Sequence, residues 1–195
     1  LQIIRPLIQK WEKLCQGNKF LFFLYAKPYR KAVAREAELA NITSTDKVLN
    51  IGCGALPFTA YYLQKITRAK VIAIDNDRSA VEQAAILLSD LELKNNIELK
   101  TMTGTEAVTN LDYNVVVAAL QTANKEKILA RISETKTNDN WKFVLREPRE
   151  RVAGQYDSLS SDIPYADQAK QYFPTFSKSV MLTANSLSKA VISDV

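Results

Sequence analysis

The 195-residue sequence predicts an α/β protein: a Rossmann-like, doubly wound, mostly parallel sheet preceded by an N-terminal helical extension. Three observations carry that expectation. From residue 47 onward, short apolar runs alternate with amphipathic stretches. The run at 113–120 is apolar almost throughout, as a central parallel strand covered on both faces must be. Two glycines, Gly52 and Gly54, stand where the first apolar run gives way to a helical pattern. The length suits one ordinary domain, divided here into a helical extension over 1–42 and the sheet domain over 43–195.

Each element follows from its local pattern. Residues 1–17 set Ile4, Leu7, Ile8, Trp11, Leu14 and Cys15 at helical spacing with Lys10 and Lys13 opposite, and Gly17 with Asn18 reads as a stop. The aromatic run Phe20, Phe22, Phe23, Tyr25 leads to a second helix over 28–39, opened by Pro28. Strands are then expected at 47–51, 70–75, 96–101, 113–120 and 141–146. Helices are expected between them at 58–67, 79–89 and 124–133. Two late apolar pieces, 179–183 and 187–192, pattern as a closing antiparallel pair. There is no internal repeat and no low-complexity segment.

Composition removes several chemistries. The sequence has no histidine, which excludes Ser-His-Asp and Cys-His catalysis and every His-ligated metal site, so no metal is expected. The two cysteines, Cys15 and Cys53, make neither a zinc cluster nor a disulfide framework and suit a reducing, cytoplasmic compartment. No apolar run approaches the ~18 residues of a membrane-spanning helix. Residues 1–70 hold 12 Lys/Arg against 4 Asp/Glu, a net of +8; residues 71–195 hold 14 against 17, a net of −3. The basic first third admits an acidic small molecule or a nucleic acid as partner. Without aromatic interleaving, a solvated helical face is the plainer reading, and a small-molecule acceptor is favoured over nucleic acid. The apolar face of 1–17 would cover the sheet edge or dock on a second copy of the chain as a homodimer.

The chemistry-bearing motif is N-I-G-C-G-A-L-P at 50–57, at the end of the first strand. Glycines at 52 and 54 allow a sharp turn that brings bare backbone against a ligand. About twenty residues on, the second strand ends at Asp75, whose carboxylate can accept both hydroxyls of a ribose. A dinucleotide site wants a third glycine so that the helix N-terminus can hold a pyrophosphate, and that position is Pro57. S-adenosylmethionine has no pyrophosphate, so the pattern favours it over NAD, in the class I methyltransferase arrangement.

The loop GCGALPFT at 52–59 resembles the G-x-G-P-[LM]-P-x-T loop of the nicotianamine synthase family. Upstream, FLYAKPY at 23–29 resembles its F-P-Y-Y-x-x-Y segment; downstream, TGTE at 103–106 resembles a T-G-D-E turn, and VVVAAL at 115–120 its strand ending in A-A-L. Arg146 and Tyr156 match a strand-end arginine and a later tyrosine, while Asn185-Ser186 and Val191-Ile192 resemble a final N-S-x-V-I strand. Ala55 stands where the family has the loop's first proline, and Thr105 where it has an acid. The family's N-terminal helical region carries a glutamate that handles the acceptor amine; Glu12 lies too near Tyr25 to match it and Glu36 falls in a different helix.

The resemblance implies binding of S-adenosylmethionine and transfer of its 3-amino-3-carboxypropyl group to an amine, leaving methylthioadenosine. It implies that Asn50, Gly52, Gly54 and Pro57 form the cofactor loop and that Asp75 takes the ribose with Asn76 beside it. Gly104, Thr105 and Glu106 would border the adenine, and Ala119, Leu120 and Gln121 would line the site. Tyr25 and Tyr29 would orient the acceptor amine or cofactor tail, with a packing role as the plain alternative. Arg146, Arg151 and Tyr156 would hold an acceptor carboxylate, against a solvated role for the arginines. Two other readings stay open: methyl transfer to a small molecule or RNA, leaving S-adenosylhomocysteine, and a non-catalytic S-adenosylmethionine-binding module. Against RNA, the fourth strand ends A-A-L-Q rather than in an Asn/Asp-Pro-Pro-aromatic turn.

Overall fold

A computed structural model describes residues 19–90, 96–136 and 138–193, and all their side chains except those of 19–25 and 189–193. The helix expected over 1–17 lies outside them. In chain order come α1 (Lys19–Leu39), β1 (Lys47–Ile51), α2 (Phe58–Thr67), β2 (Lys70–Asp75), α3 (Arg78–Asp90) and β3 (Ile97–Thr101). There follow α4 (Gly104–Asn110), β4 (Val115–Ala118), α5 (Lys125–Thr135), β5 (Lys142–Pro148), a 3-10 helix (Glu150–Gln155), β6 (Asp167–Lys170), β7 (Phe176–Thr183) and α6 (Ala184–Ser193).

The strands form one seven-stranded sheet in the order β3-β2-β1-β4-β5-β7-β6. Strands β1 to β5 run parallel, and β7 runs antiparallel to both β5 and β6. The order reverses between β1 and β4, which opens a crevice beyond their carboxyl ends, the usual ligand position in open α/β sheets.

Side-chain alternation along the strands builds two cores. On one face Val48, Val71, Val117 and Val144 pack with Val33 and Ala37 of α1, Leu63 of α2 and Leu88 of α3. On the other, Leu49, Ile72, Val116 and Phe143 pack with Val108 of α4 and with Ile128 and Ile132 of α5.

Three expectations are corrected. The helix expected to open at Pro28 opens at Lys19 and carries Pro28 inside it. A proline there removes one backbone hydrogen bond, but the buried face formed by Ala26, Ala32, Val33 and Ala37 continues through that turn. The apolar piece at 187–192 is helical rather than a strand. Thr183 and Ser186 exchange reciprocal hydrogen bonds, backbone N–H to side-chain hydroxyl, at 3.1 and 3.3 Å, which start α6. The antiparallel partners of β7 are therefore β5 and β6. Residues 103–106 form no free turn: Thr103 and Glu106 make a capping box that opens α4.

One buried ion pair ties α1 to the sheet. The Glu36 carboxylate, fully buried, accepts from Arg146 Nε at 2.7 Å and Nη2 at 2.8 Å, a bidentate fork, and from the Ser179 hydroxyl at 2.8 Å. Arg146 Nη2 also donates to Thr59 Oγ1 at 3.1 Å. Helix α1, β5, β7 and the first turn of α2 thus share one network. Glu36→Ala would leave a buried guanidinium unpaired and is expected to destabilise by about 3–5 kcal/mol. Replacing both partners by leucine and methionine should cost much less. Urea midpoints of the three proteins test this; equal losses in single and double variants would contradict it.

Candidate functional site

The crevice is built around the turn between β1 and α2. Gly52 and Gly54 have φ of +78° and +62°, the left-handed region in which a side chain is strained. The backbone N–H groups of Gly52 and Cys53 both donate to Ile74 O at 2.9 Å, fastening the turn to the end of β2. On the other side, Ala119 N–H and Thr122 Oγ1 donate to Ile51 O at 2.9 and 3.2 Å, fastening it to the segment after β4. A Cβ at Gly52 would lie 3.1 Å from Thr122 Oγ1 and 3.2 Å from Ala119 Cβ.

Gly54 differs, since a Cβ there would meet nothing within 4 Å. Its N–H donates to Asp75 Oδ2 at 2.8 Å, while Asp75 Oδ1 accepts from Asp77 N–H at 3.1 Å. Asp75 is half-buried and Asn76 exposed. A carboxylate offers about four lone-pair positions, so two backbone donors leave acceptor capacity over. Asn50 is fully buried; its Nδ2 donates to Val117 O at 3.0 Å, and its Oδ1 has no partner among the described residues. Pro57 occupies the N-cap position of α2 and makes no capping bond. Cys53 is buried, and burial followed by the nearby Asp75 charge pushes its thiol up to about 12, so it is no nucleophile at neutral pH.

The structure brings Gly52, Gly54, Asp75 and Ala119 to one place. Leu120 is buried beside Ala32 and Phe176, whereas Gln121 is exposed. Gly104 is packed into the core, where a Cβ would lie 2.7 Å from Ile128 Cδ1, and Thr105 sits in the first turn of α4. Hydrogen bonds from Thr103 hold the exposed Glu106 carboxylate below the usual carboxylate range.

Tyr29 lies between the turn and the far end of the sheet, its ring 5.1 Å from Phe58 and 4.7 Å from Phe173. Burial raises its pKa, the Arg146 charge opposes that, and Tyr156 adds to it, which also places the three side chains in one cluster. Tyr25 lies in α1, and its side chain is outside those described. Arg146 has Glu36 and Thr59 as partners and presents no free fork. Arg151 is exposed and donates to Pro174 O at 2.8 Å.

Sequence reasoning missed two groups near the crevice. Lys125 is fully buried, its Nζ donating to Leu120 O at 3.0 Å and to Asp157 O at 2.5 Å, which pins the segment after β4. Burial lowers its pKa and Asp157 opposes the shift. Arg149 and Tyr172 line a cavity beyond β5. Neither group belongs to a local pattern; Lys125 merely follows Asn124 in a polar stretch.

No protein-family model matches the chain. Over 122 residues, 63% of this chain and 45% of the relative, it is 28% identical to L-histidine 2-aminobutanoyltransferase of Yersinia pestis. Over 105 residues, 53% of this chain and 54% of the relative, it is 27% identical to a Methanobrevibacter smithii protein named probable cobalt-precorrin-6B C(15)-methyltransferase (decarboxylating). The chain spans about half the length of the curated relatives it matches. In three dimensions it resembles a mutant of the nicotianamine synthase MtNAS with a TM-score of 0.76 at 16% identity, over 89% of this chain and 68% of that one. MtNAS has been crystallised with MTA and tNA, and its mutant with S-adenosylmethionine. The fold is the class I methyltransferase fold.

The two glycines should respond differently to alanine. Gly52→Ala combines backbone strain with close contacts and should destabilise by about 1–3 kcal/mol. Gly54→Ala meets only the strain and should cost less. Chemical denaturation of both variants is the check, and the reverse ranking would contradict the geometry.

Proposed function

We propose that the chain is an S-adenosylmethionine-dependent transferase that moves the 3-amino-3-carboxypropyl group onto a small amine or amino acid. Residues 43–195 would form the cofactor-binding unit and 1–42 a helical segment against it. The observation that carries this reading is the turn itself: two left-handed glycines, the second bonded to a strand-end aspartate and facing open space.

The donor set suits this cofactor. Asp75 retains acceptor capacity for two ribose hydroxyls, with Asn76 at its side. The open face of Gly54 lets a ligand approach bare backbone. Pro57 at the start of α2 leaves no seat for a pyrophosphate. The buried Oδ1 of Asn50, without a partner among the described residues, is an acceptor of the kind an amino-acid tail requires. Ala119, Leu120 and Gln121 would form the wall after β4, with Gly104 and Thr105 bordering the base.

When bound, the sulfonium supplies a carbon already joined to a good leaving group. The protein's share is then position and dryness. Tyr29, whose pKa burial raises above its ordinary value, would direct its hydroxyl at the acceptor or the cofactor tail, with Tyr25 four residues earlier in α1 as a second candidate. Arg146 would fix that tyrosine cluster from behind, and Tyr156 and Arg151 would meet the acceptor.

Aminocarboxypropyl transfer is supported by the Yersinia relative, whose name describes moving a four-carbon amino group-bearing unit onto an amino acid. Methyl transfer is the second reading, favoured by the name of the Methanobrevibacter relative.

Incubation with S-adenosylmethionine and a mixture of amino acids, followed by chromatography of the nucleoside product, separates the two. Methylthioadenosine is expected; S-adenosylhomocysteine would establish methyl transfer instead. Asp75→Ala should weaken S-adenosylmethionine binding by about 1–3 kcal/mol in titration calorimetry, through lost charge-assisted hydrogen bonds. Unchanged affinity would remove Asp75 from the site.

A further inference from the structure

Beyond the carboxyl end of β5 lies a cavity of about 710 Å³ lined by Arg149, Glu150, Arg151, Tyr172, Phe173 and Ser177 among others. Its guanidinium groups are held in place by the connection between β6 and β7. Arg149 Nε donates to Phe173 O at 2.9 Å, and Arg151 Nη2 donates to Pro174 O at 2.8 Å. Neither arginine forms an ion pair with a carboxylate among the described residues, Glu150 included.

The surroundings add positive charge. Tyr172 is 71% exposed, and Arg35 and Lys170 lie 5.0 and 5.5 Å from its ring centroid. Two arginines thus line the cavity beside the Glu150 carboxylate, and two further cations flank the Tyr172 ring that forms part of its wall. Fixed positive charge in a concave site focuses the field and draws an anion into it.

The cavity adjoins the crevice. Arg149 directly follows β5, at the same end of the sheet as the Gly52 turn. Tyr29 packs one aromatic neighbour from each, Phe58 after the turn and Phe173 in the cavity wall.

We infer that this cavity seats a carboxylate of the acceptor, with Arg149 and Arg151 as its donors and Tyr172 as its flanking wall. The acceptor's amine end then extends past Tyr29 toward Gly54. The identity of the ligand as acceptor rests on the transferase reading, whereas the carboxylate site rests on the cavity alone. Arg149 and Tyr172 become specificity-determining residues, and acceptors without a carboxylate are disfavoured.

The test is titration of the full chain with succinate and, separately, with succinamide, following the arginine Nε–Hε resonances. S-adenosylmethionine affinity is measured calorimetrically on the same samples. Succinate should shift the Arg149 and Arg151 signals saturably and succinamide should not. Succinate affinity, measured for each protein by calorimetric titration, should fall at least tenfold in R149Q/R151Q. Because Arg149 also holds Phe173, the exposed R151Q is the second variant, with weaker binding expected there too. Absence of saturable succinate binding, equal response to succinamide, or unaltered affinity in R151Q would overturn the inference. Failure of S-adenosylmethionine to bind would strike the transferase reading and leave the carboxylate result to stand or fall by itself.

Discussion

Two carbonyl groups, each accepting two hydrogen bonds, hold the functional end of this protein together. Ile74 O receives the Gly52 and Cys53 amides, and Ile51 O receives the Ala119 amide and the Thr122 hydroxyl. The ends of β1, β2 and β4 are thereby locked at the point where the strand order reverses. A turn this tight requires left-handed backbone, which explains glycine at 52. It also leaves the Gly54 amide aimed at Asp75 rather than continuing the sheet. The crevice is thus a consequence of how three parallel strands terminate.

The second organising feature is the Glu36–Arg146 pair. Its charges are buried where an apolar pair would pack with less desolvation cost. What the pair adds is direction: a bidentate fork accepts one approach of α1 to β5, and Ser179 and Thr59 satisfy much of what remains. Helix α1 then delivers Tyr29 to the border between the crevice and the cationic cavity. Both sites therefore depend on the same helix register.

Much of the fold was legible because its punctuation is local. Strand β1, helix α2 and strand β2 match their expected limits, with glycines and Pro57 separating the first two and a strand-end aspartate closing the third. Helix α4 was overlooked although Thr103 and Glu106 carry its capping signature, because the resemblance of residues 103–106 to T-G-D-E suggested a turn. Strand β6 is an exposed edge made of Asp, Gln, Ala and Lys, with no apolar alternation to reveal it. The piece at 187–192 fits either period, and only the Thr183–Ser186 exchange decides for a helix. In the site, Gly52, Gly54 and Asp75 were visible because strand, turn and acid form a short-range motif. Arg146 was singled out from resemblance, but its partner stands 110 residues away and no spacing announces it. Arg149 and Tyr172 become neighbours only through the β5–β7 pairing.

The central claim is that S-adenosylmethionine occupies the crevice at the ends of β1, β2 and β4. The most direct measurement is a backbone amide shift map of the isotope-labelled protein as S-adenosylmethionine is added. The account predicts saturable shifts centred on Gly52, Gly54, Asp75 and Ala119, with the edge strand β6 unaffected. Absence of shifts, or shifts confined to residues away from the crevice, would contradict it.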